Sequence, residues 1–156
     1  MKLDWKKLLI SLGIPLAVGG LATLISGSGM AQYGQLYRPP LSPPGWVFPV
    51  VWTVLYLLMG YASYLVWTSD ASPEDKKNAL LLYGAQLLAN FLWPIAFFGL
   101  EWRLAAFVIL LALWALIFLT IRAFSRISEQ ASDLLLPYIL WVTFAAYLNL
   151  GAYILN

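Results

Sequence analysis

Five long apolar stretches alternate with short polar breaks along the chain. They run from about Leu8 to Ile25, Trp46 to Trp67, Asn78 to Phe98, Leu104 to Phe124 and Asp133 to Leu155. Each is close to the roughly 20 residues that an α-helix needs to cross the hydrocarbon of a bilayer. The pattern predicts an all-α protein, a single domain over residues 1–156 built as an integral membrane bundle of five transmembrane helices. Lys2, Lys6 and Lys7 precede the first stretch, so a secretory leader is the competing reading there. The length of the stretch, Pro15 within it and the lack of a small-x-small cleavage site before a soluble domain favour a retained helix.

The breaks carry their own punctuation. Residues 26–45 are rich in Gly, Ser and Pro, and their centre reads Tyr33-Gly-Gln-Leu-Tyr-Arg-Pro-Pro-Leu-Ser-Pro-Pro-Gly45. Four prolines in six residues forbid a regular helix. A connector this long between tightly packed helices fits a lid over a pocket. Pro49 falls in the first turn of the second helix, where its missing N–H costs nothing. Ser72-Pro73-Glu74-Asp75 reads as an N-cap, a proline at the first helical position and two acids in the first turn. Glu101 and Arg103 mark a very short turn, and Pro137 opens the fifth helix.

Composition makes the membrane the natural solvent. The chain is 62% hydrophobic and 10% charged, with a mean hydropathy of +0.80. A soluble domain carries about 25% charged residues, and this much less cannot clothe a water-facing surface. There is no cysteine and no histidine. Disulfides, thiolate chemistry, imidazole-based metal sites and the usual general base near neutral pH are therefore excluded. The net charge of +2 is small and scattered, which argues against a nucleic-acid partner. Its distribution orients the chain. Lys2, Lys6, Lys7, Lys76, Lys77, Arg122 and Arg126 share the side of the N-terminus, against Arg38 and Arg103 on the other. The positive-inside rule then places the N-terminus in the cytoplasm, with the Pro-rich loop outside.

Polar residues within the spans need partners. Gln86 and Asn90, four apart, share one face of the third helix with Pro94, and Asn149 lies in the fifth. They either line an internal pocket or hydrogen-bond between helices. No acid or base lies near the centre of a span, which weighs against a proton-coupled carrier, an ion pump or a charged-ring channel. No paired carboxylates are spaced for acid/base work, so a conventional hydrolase or transferase is disfavoured. Phe48, Trp52 and Tyr56 form a stripe on the second helix, and Tyr138, Trp141 and Ala145 share a face of the fifth. Aromatic walls with a few polar groups suit a flat hydrophobic ligand. Plain helix packing is the alternative for the same spacing.

Three stretches carry a resemblance. They are Pro39-Pro-Leu-Ser-Pro-Pro-Gly-Trp-Val-Phe-Pro-Val-Val-Trp52, Tyr83-Gly-Ala-Gln-Leu-Leu-Ala-Asn-Phe-Leu-Trp-Pro-Ile-Ala-Phe-Phe98 and Leu136-Pro-Tyr-Ile-Leu-Trp-Val-Thr-Phe-Ala-Ala-Tyr-Leu-Asn149. In order and spacing they resemble the signature segments of the translocator protein family, also called tryptophan-rich sensory proteins or peripheral-type benzodiazepine receptors. The resemblance implies a five-helix membrane fold, usually a homodimer, that binds porphyrins such as protoporphyrin IX and other flat hydrophobic molecules beneath the first loop. On this basis the lid tyrosine is Tyr33, and Trp52 is the pocket tryptophan, with Trp46 and Phe48 nearer the mouth. Asn90 is the pocket asparagine, beside Trp93 and one turn from Gln86, and Trp141 joins from the fifth helix with Phe144 and Ala145. Arg38 would meet a propionate at the mouth. Gly84, Ala85 and Ala89 offer small residues for a dimer interface. No cofactor is required, the porphyrin being a ligand.

Animal members carry a sterol-recognition stretch late in the fifth helix. Here Leu148 fits it, but Leu150 and Ile154 replace the tyrosine and the basic residue. This speaks against specific cholesterol binding and for a bacterial-type member, in the cell membrane or alternatively an outer membrane. Three functions compete. One is porphyrin binding with a sensing, regulatory or transport role. Another is light- or oxygen-dependent porphyrin breakdown using Trp52 and Trp141. The third is transport proper of tetrapyrroles, lipids or sterols.

Overall fold

The computed structural model describes residues 2–27 and 33–156; the remainder of the expected loop, residues 28–32, lies outside the described residues. Five helices are long and apolar enough to cross a membrane: α1 (Trp5–Ser26), α2 (Val47–Trp67), α3 (Pro73–Gly99), α4 (Arg103–Ser125) and α5 (Glu129–Leu155). Among the described residues there is no strand.

Local chemistry explains where these helices begin and bend. The Asp4 carboxylate accepts the Lys7 amide and caps α1. Ser72 caps α3 through the Asp75 amide, with Pro73 at the first position. This helix therefore starts at Pro73, ahead of its apolar stretch. Pro94 has no N–H to give the preceding turn, and from there α3 widens into a π-helical turn over Ile95–Gly99. The Leu100 amide closes that turn on the Ile95 carbonyl at 2.8 Å. Ser128 caps the first turn of α5, which pauses at Leu134 and Leu135 before running on from Leu136.

Packing orders the helices α1, α2, α5, α4 and α3 around the bundle, with α3 closing back on α1. The core sits between α2, α3, α4 and α5. Met59, Leu110, Ile117, Phe124, Tyr138 and Val142 are among its largest fully buried side chains. Apolar residues on the opposite faces, such as Leu24, Val108 and Leu140, point outward, as a lipid-facing surface requires.

Hydrocarbon gives no hydrophobic push between helices, so close backbone approach and hydrogen bonds matter more. At Gly60 an added Cβ would lie 2.6 Å from the Ser11 carbonyl oxygen on α1. At Gly19 it would lie 2.3 Å from the Tyr56 ring on α2. The Asp4 amide also donates to the Tyr64 hydroxyl at 2.9 Å, tying the start of α1 to the end of α2.

Gly60→Ala should therefore lower the thermal unfolding temperature of the detergent-solubilised protein, by an overpacking cost of about 1–3 kcal/mol. Gly13→Ala, in open space on the same helix pair, should be neutral or stabilising by up to about 1 kcal/mol. Equal effects of the two would refute the tight α1–α2 contact.

Candidate functional site

A cavity of about 370 Å³ occupies the loop-side half of the bundle between α1, α2 and α3. Its aromatic walls come from Phe48 and Trp52 on α2, Trp93 and Phe98 on α3, and Tyr33 above. Their spacing follows the helical repeat: Phe48, Trp52 and Tyr56 fall one turn apart on α2, and Trp93 and Pro94 lie one turn beyond Asn90 on α3. The wall on α1 is made, apart from Leu16, of small residues, Gly19, Gly20 and Thr23 among them.

The floor is polar. The Tyr56 hydroxyl donates to Asn90 Oδ1 at 3.0 Å. Asn90 Nδ2 donates to the Tyr138 hydroxyl oxygen at 2.6 Å, and Tyr138 donates in turn to Gln86 Oε1 at 2.7 Å. This chain ties α2, α3 and α5 together. Tyr138 and Gln86 are 1% exposed. Buried polar groups joined in this way hold one another in fixed orientations. A second bridge lies nearer the loop. Trp93 Nε1 donates to Asn149 Oδ1 at 2.8 Å, and Asn149 Nδ2 donates to the Arg103 carbonyl at 2.9 Å.

The roof is the Pro-rich loop, which is fastened at several points. Tyr33 is 7% exposed, meets Phe48 edge-on with ring centres 4.8 Å apart, and donates its hydroxyl to the Pro43 carbonyl. The Arg38 guanidinium lies 4.8 Å above the Tyr33 ring. Further along, the loop is bound to the end of α5. Tyr147 donates to the Pro40 carbonyl at 2.7 Å, and the Asn156 amide exchanges two hydrogen bonds with the Tyr37 backbone. The Pro39 ring lies so close to Gly151 that a Cβ there would meet it at 2.5 Å.

The structure thus brings Tyr33, Phe48, Trp52, Asn90 and Trp93 to one cavity. Several other sequence-based candidates stand elsewhere. Trp46, at the N-cap of α2, is 67% exposed and does not line the cavity. Gln86 lies in the core behind Asn90, where it meets Tyr138. Trp141 stands behind Phe48, 5.8 Å between ring centres, and Phe144 packs on Trp141; neither lines the cavity. Ala145 and Arg38 border a separate void of about 30 Å³ under the loop. Ala89 packs into the chain's own core, so of the three dimer candidates only Gly84 and the half-buried Ala85 retain an outward side. The residues that sequence reasoning passed over are those of α1, together with Pro49, Thr53 and Phe98, and Tyr56, which stood in the aromatic stripe but was not assigned to the site.

Comparison with known proteins matches this architecture to a family. Residues 11–155 fit the TspO/MBR family. The tryptophan-rich protein TspO of Chlorobaculum tepidum is 38% identical over 150 residues, covering 96% of this chain and 95% of that protein. The chain belongs to the TspO/MBR family. A translocator protein of Ovis aries is 39% identical over 138 residues, 87% of this chain and 82% of that one. A tryptophan-rich sensory protein of Cereibacter sphaeroides is 36% identical over 159 residues, 100% of this chain and 95% of that one. This TspO/MBR member is accordingly a multi-pass integral membrane protein, and the resemblance read from its three signature stretches is borne out.

The fastening of the roof gives a prediction. Gly151→Ala should push Pro39 outward and loosen residues 33–45, raising their amide hydrogen exchange several-fold while leaving exchange in α4 unchanged. Unaltered exchange over the loop would mean that the α5 contact does not hold it.

Proposed function

We propose that this chain binds porphyrins, and flat hydrophobic molecules like them, in the cavity between α1, α2 and α3, and that binding serves sensing or delivery. The single observation that carries the reading is the cavity itself. Its volume of about 370 Å³ lies within the usual range for small-molecule sites. Trp52, Phe48, Trp93 and Phe98 offer π-faces to a flat ligand, and Tyr56 and Asn90 offer polar atoms at one end. Tyr33 covers the loop end of the site, and Arg38 stands over the Tyr33 ring, placed to meet a ligand carboxylate. The names of the relatives, which speak of translocation and of sensing, accord with a binding role coupled to one of these outputs.

A titration of the purified protein with protoporphyrin IX in the dark, followed by tryptophan quenching, tests the reading. Saturable quenching at micromolar ligand is expected. Trp52→Phe should weaken binding by up to roughly tenfold, the value of a lost aromatic contact. Trp141→Phe, behind the wall, should change it by less than about twofold, on the same scale. Linear quenching that is equal in all variants would reduce the effect to partitioning into detergent. Repeating the titration under light separates a binder from a catalyst of porphyrin breakdown, because only the latter forms product that depends on Trp52.

A further inference from the structure

We infer that the floor of the cavity is a hydrogen-bond acceptor, and that Gln86, buried out of reach of any ligand, sets this preference through Tyr138 and Asn90. The inference rests on the reading of the cavity as a ligand site, and it specifies the chemistry that the site selects.

The argument begins with the direction of each bond. A hydroxyl has one hydrogen to give and lone pairs to accept with. Among the residues lining the cavity, Thr23 donates to the Gly19 carbonyl at 2.9 Å, Ser26 to Ala22 at 2.6 Å and Thr53 to Pro49 at 2.7 Å. Tyr33 donates to the Pro43 carbonyl, Trp93 to Asn149 and Tyr56 to Asn90. All six donors are committed to the protein. The hydroxyls among them keep lone pairs for a ligand. Among the described residues, the side-chain N–H groups outside these bonds are the Trp52 indole on the wall and the second amide hydrogen of Asn90, itself only 3% exposed.

At the floor the direction is fixed from behind. Gln86 Oε1 accepts from Tyr138, so the only hydroxyl hydrogen of Tyr138 is used. Tyr138 can then only accept from Asn90, which must turn its Nδ2 toward it. Asn90 Oδ1 consequently faces Tyr56 and takes the Tyr56 hydrogen. The Tyr56 oxygen is left with lone pairs alone. Among the described residues the buried Gln86 Nε2 group has no hydrogen-bond partner. A ligand reaching the floor is therefore favoured if it brings an N–H or O–H group. One that brings a bare carbonyl finds no free hydroxyl hydrogen at the floor, where the second Asn90 amide hydrogen is nearly buried, and must turn to the Trp52 indole on the wall or leave its oxygen unpaired. Gln86 and Tyr138 are positioning residues, since neither lines the cavity.

Three flat tricycles of nearly one shape isolate the effect: carbazole with an N–H, fluorenone with a C=O, and fluorene with neither. Equilibrium dialysis of the full chain in nanodiscs, against empty nanodiscs of the same lipid, measures binding beyond partition. Carbazole should bind about threefold to tenfold tighter than fluorenone, the worth of one net hydrogen bond. Tyr56→Phe should bring the ratio near unity. Gln86→Leu should free the Tyr138 hydrogen, let the chain reverse, and shift the ratio toward fluorenone; a merely structural role would weaken all three probes alike. If Gln86→Leu does not fold, the wild type and Tyr56→Phe decide. Equal or inverted affinities in the wild type overturn the acceptor floor while saturable binding keeps the ligand site. An unchanged ratio in a folded Gln86→Leu overturns the role of Gln86. Absence of saturable binding by every probe, protoporphyrin IX included, overturns the site and the inference together.

Discussion

The bond from Tyr56 to Asn90 is the point on which four of the five helices depend. The Tyr56 ring lies in the space that a side chain at Gly19 would need, so it sets how near α1 can come to α2. Its hydroxyl reaches Asn90 on α3, and Asn90 reaches Tyr138 on α5. In hydrocarbon an unpartnered polar group costs several kcal/mol, because no water replaces a lost partner. Each helix is thus held in rotation and in height by groups that have no alternative arrangement outside the bundle. Apolar packing around Met59, Leu110 and Val142 fills the space between them but is less directional.

The five helices were legible in the sequence because crossing a bilayer demands long apolar runs, and of the five only the first had a competing reading, as a secretory leader. Their ends were less so. Capping by Ser72 carries α3 beyond the apolar stretch, and the widening after Pro94 leaves no mark in the sequence beyond the proline itself. For the site, the bulky residues were legible and the empty space was not. Trp52, Phe48 and Asn90 announce themselves by type and spacing. Gly19, Gly20 and Thr23 contribute by being small, and smallness in a membrane helix reads equally as packing. Trp141 shows the limit of reasoning by helical face: a shared face does not say what stands in front of it, and here Phe48 does. Gln86 and Asn90 left two readings open. The structure joins the two readings, since one chain of hydrogen bonds links the cavity surface at Asn90 to the interhelical contact at Gln86.

This arrangement separates two tasks along the membrane normal. The half of the bundle nearer the N-terminus is packed solid by α2, α3, α4 and α5, with α1 pressed against α2 at Gly60. The loop-side half is left open, and the π turn of α3 carries Phe98 along its edge. Rigidity in the first half supports a void in the second. Bonds that run through the core, such as the one from Trp93 to Asn149, hold the aromatic walls apart without adding side chains to the space between them.

The roof draws its anchors from the far end of the chain. Tyr37 and Pro40 are held by Asn156 and Tyr147, 119 and 107 residues later. At ordinary rates of synthesis, about 5–20 residues per second, that separation corresponds to roughly 5 to 25 s on the ribosome. During that interval α1, α2 and α3 can emerge and meet, yet the loop above them has only the local contacts of Tyr33 with Phe48 and Pro43. A nascent chain therefore carries a half-fastened roof until α5 enters the membrane, and the arrival of that helix becomes the step that secures the loop.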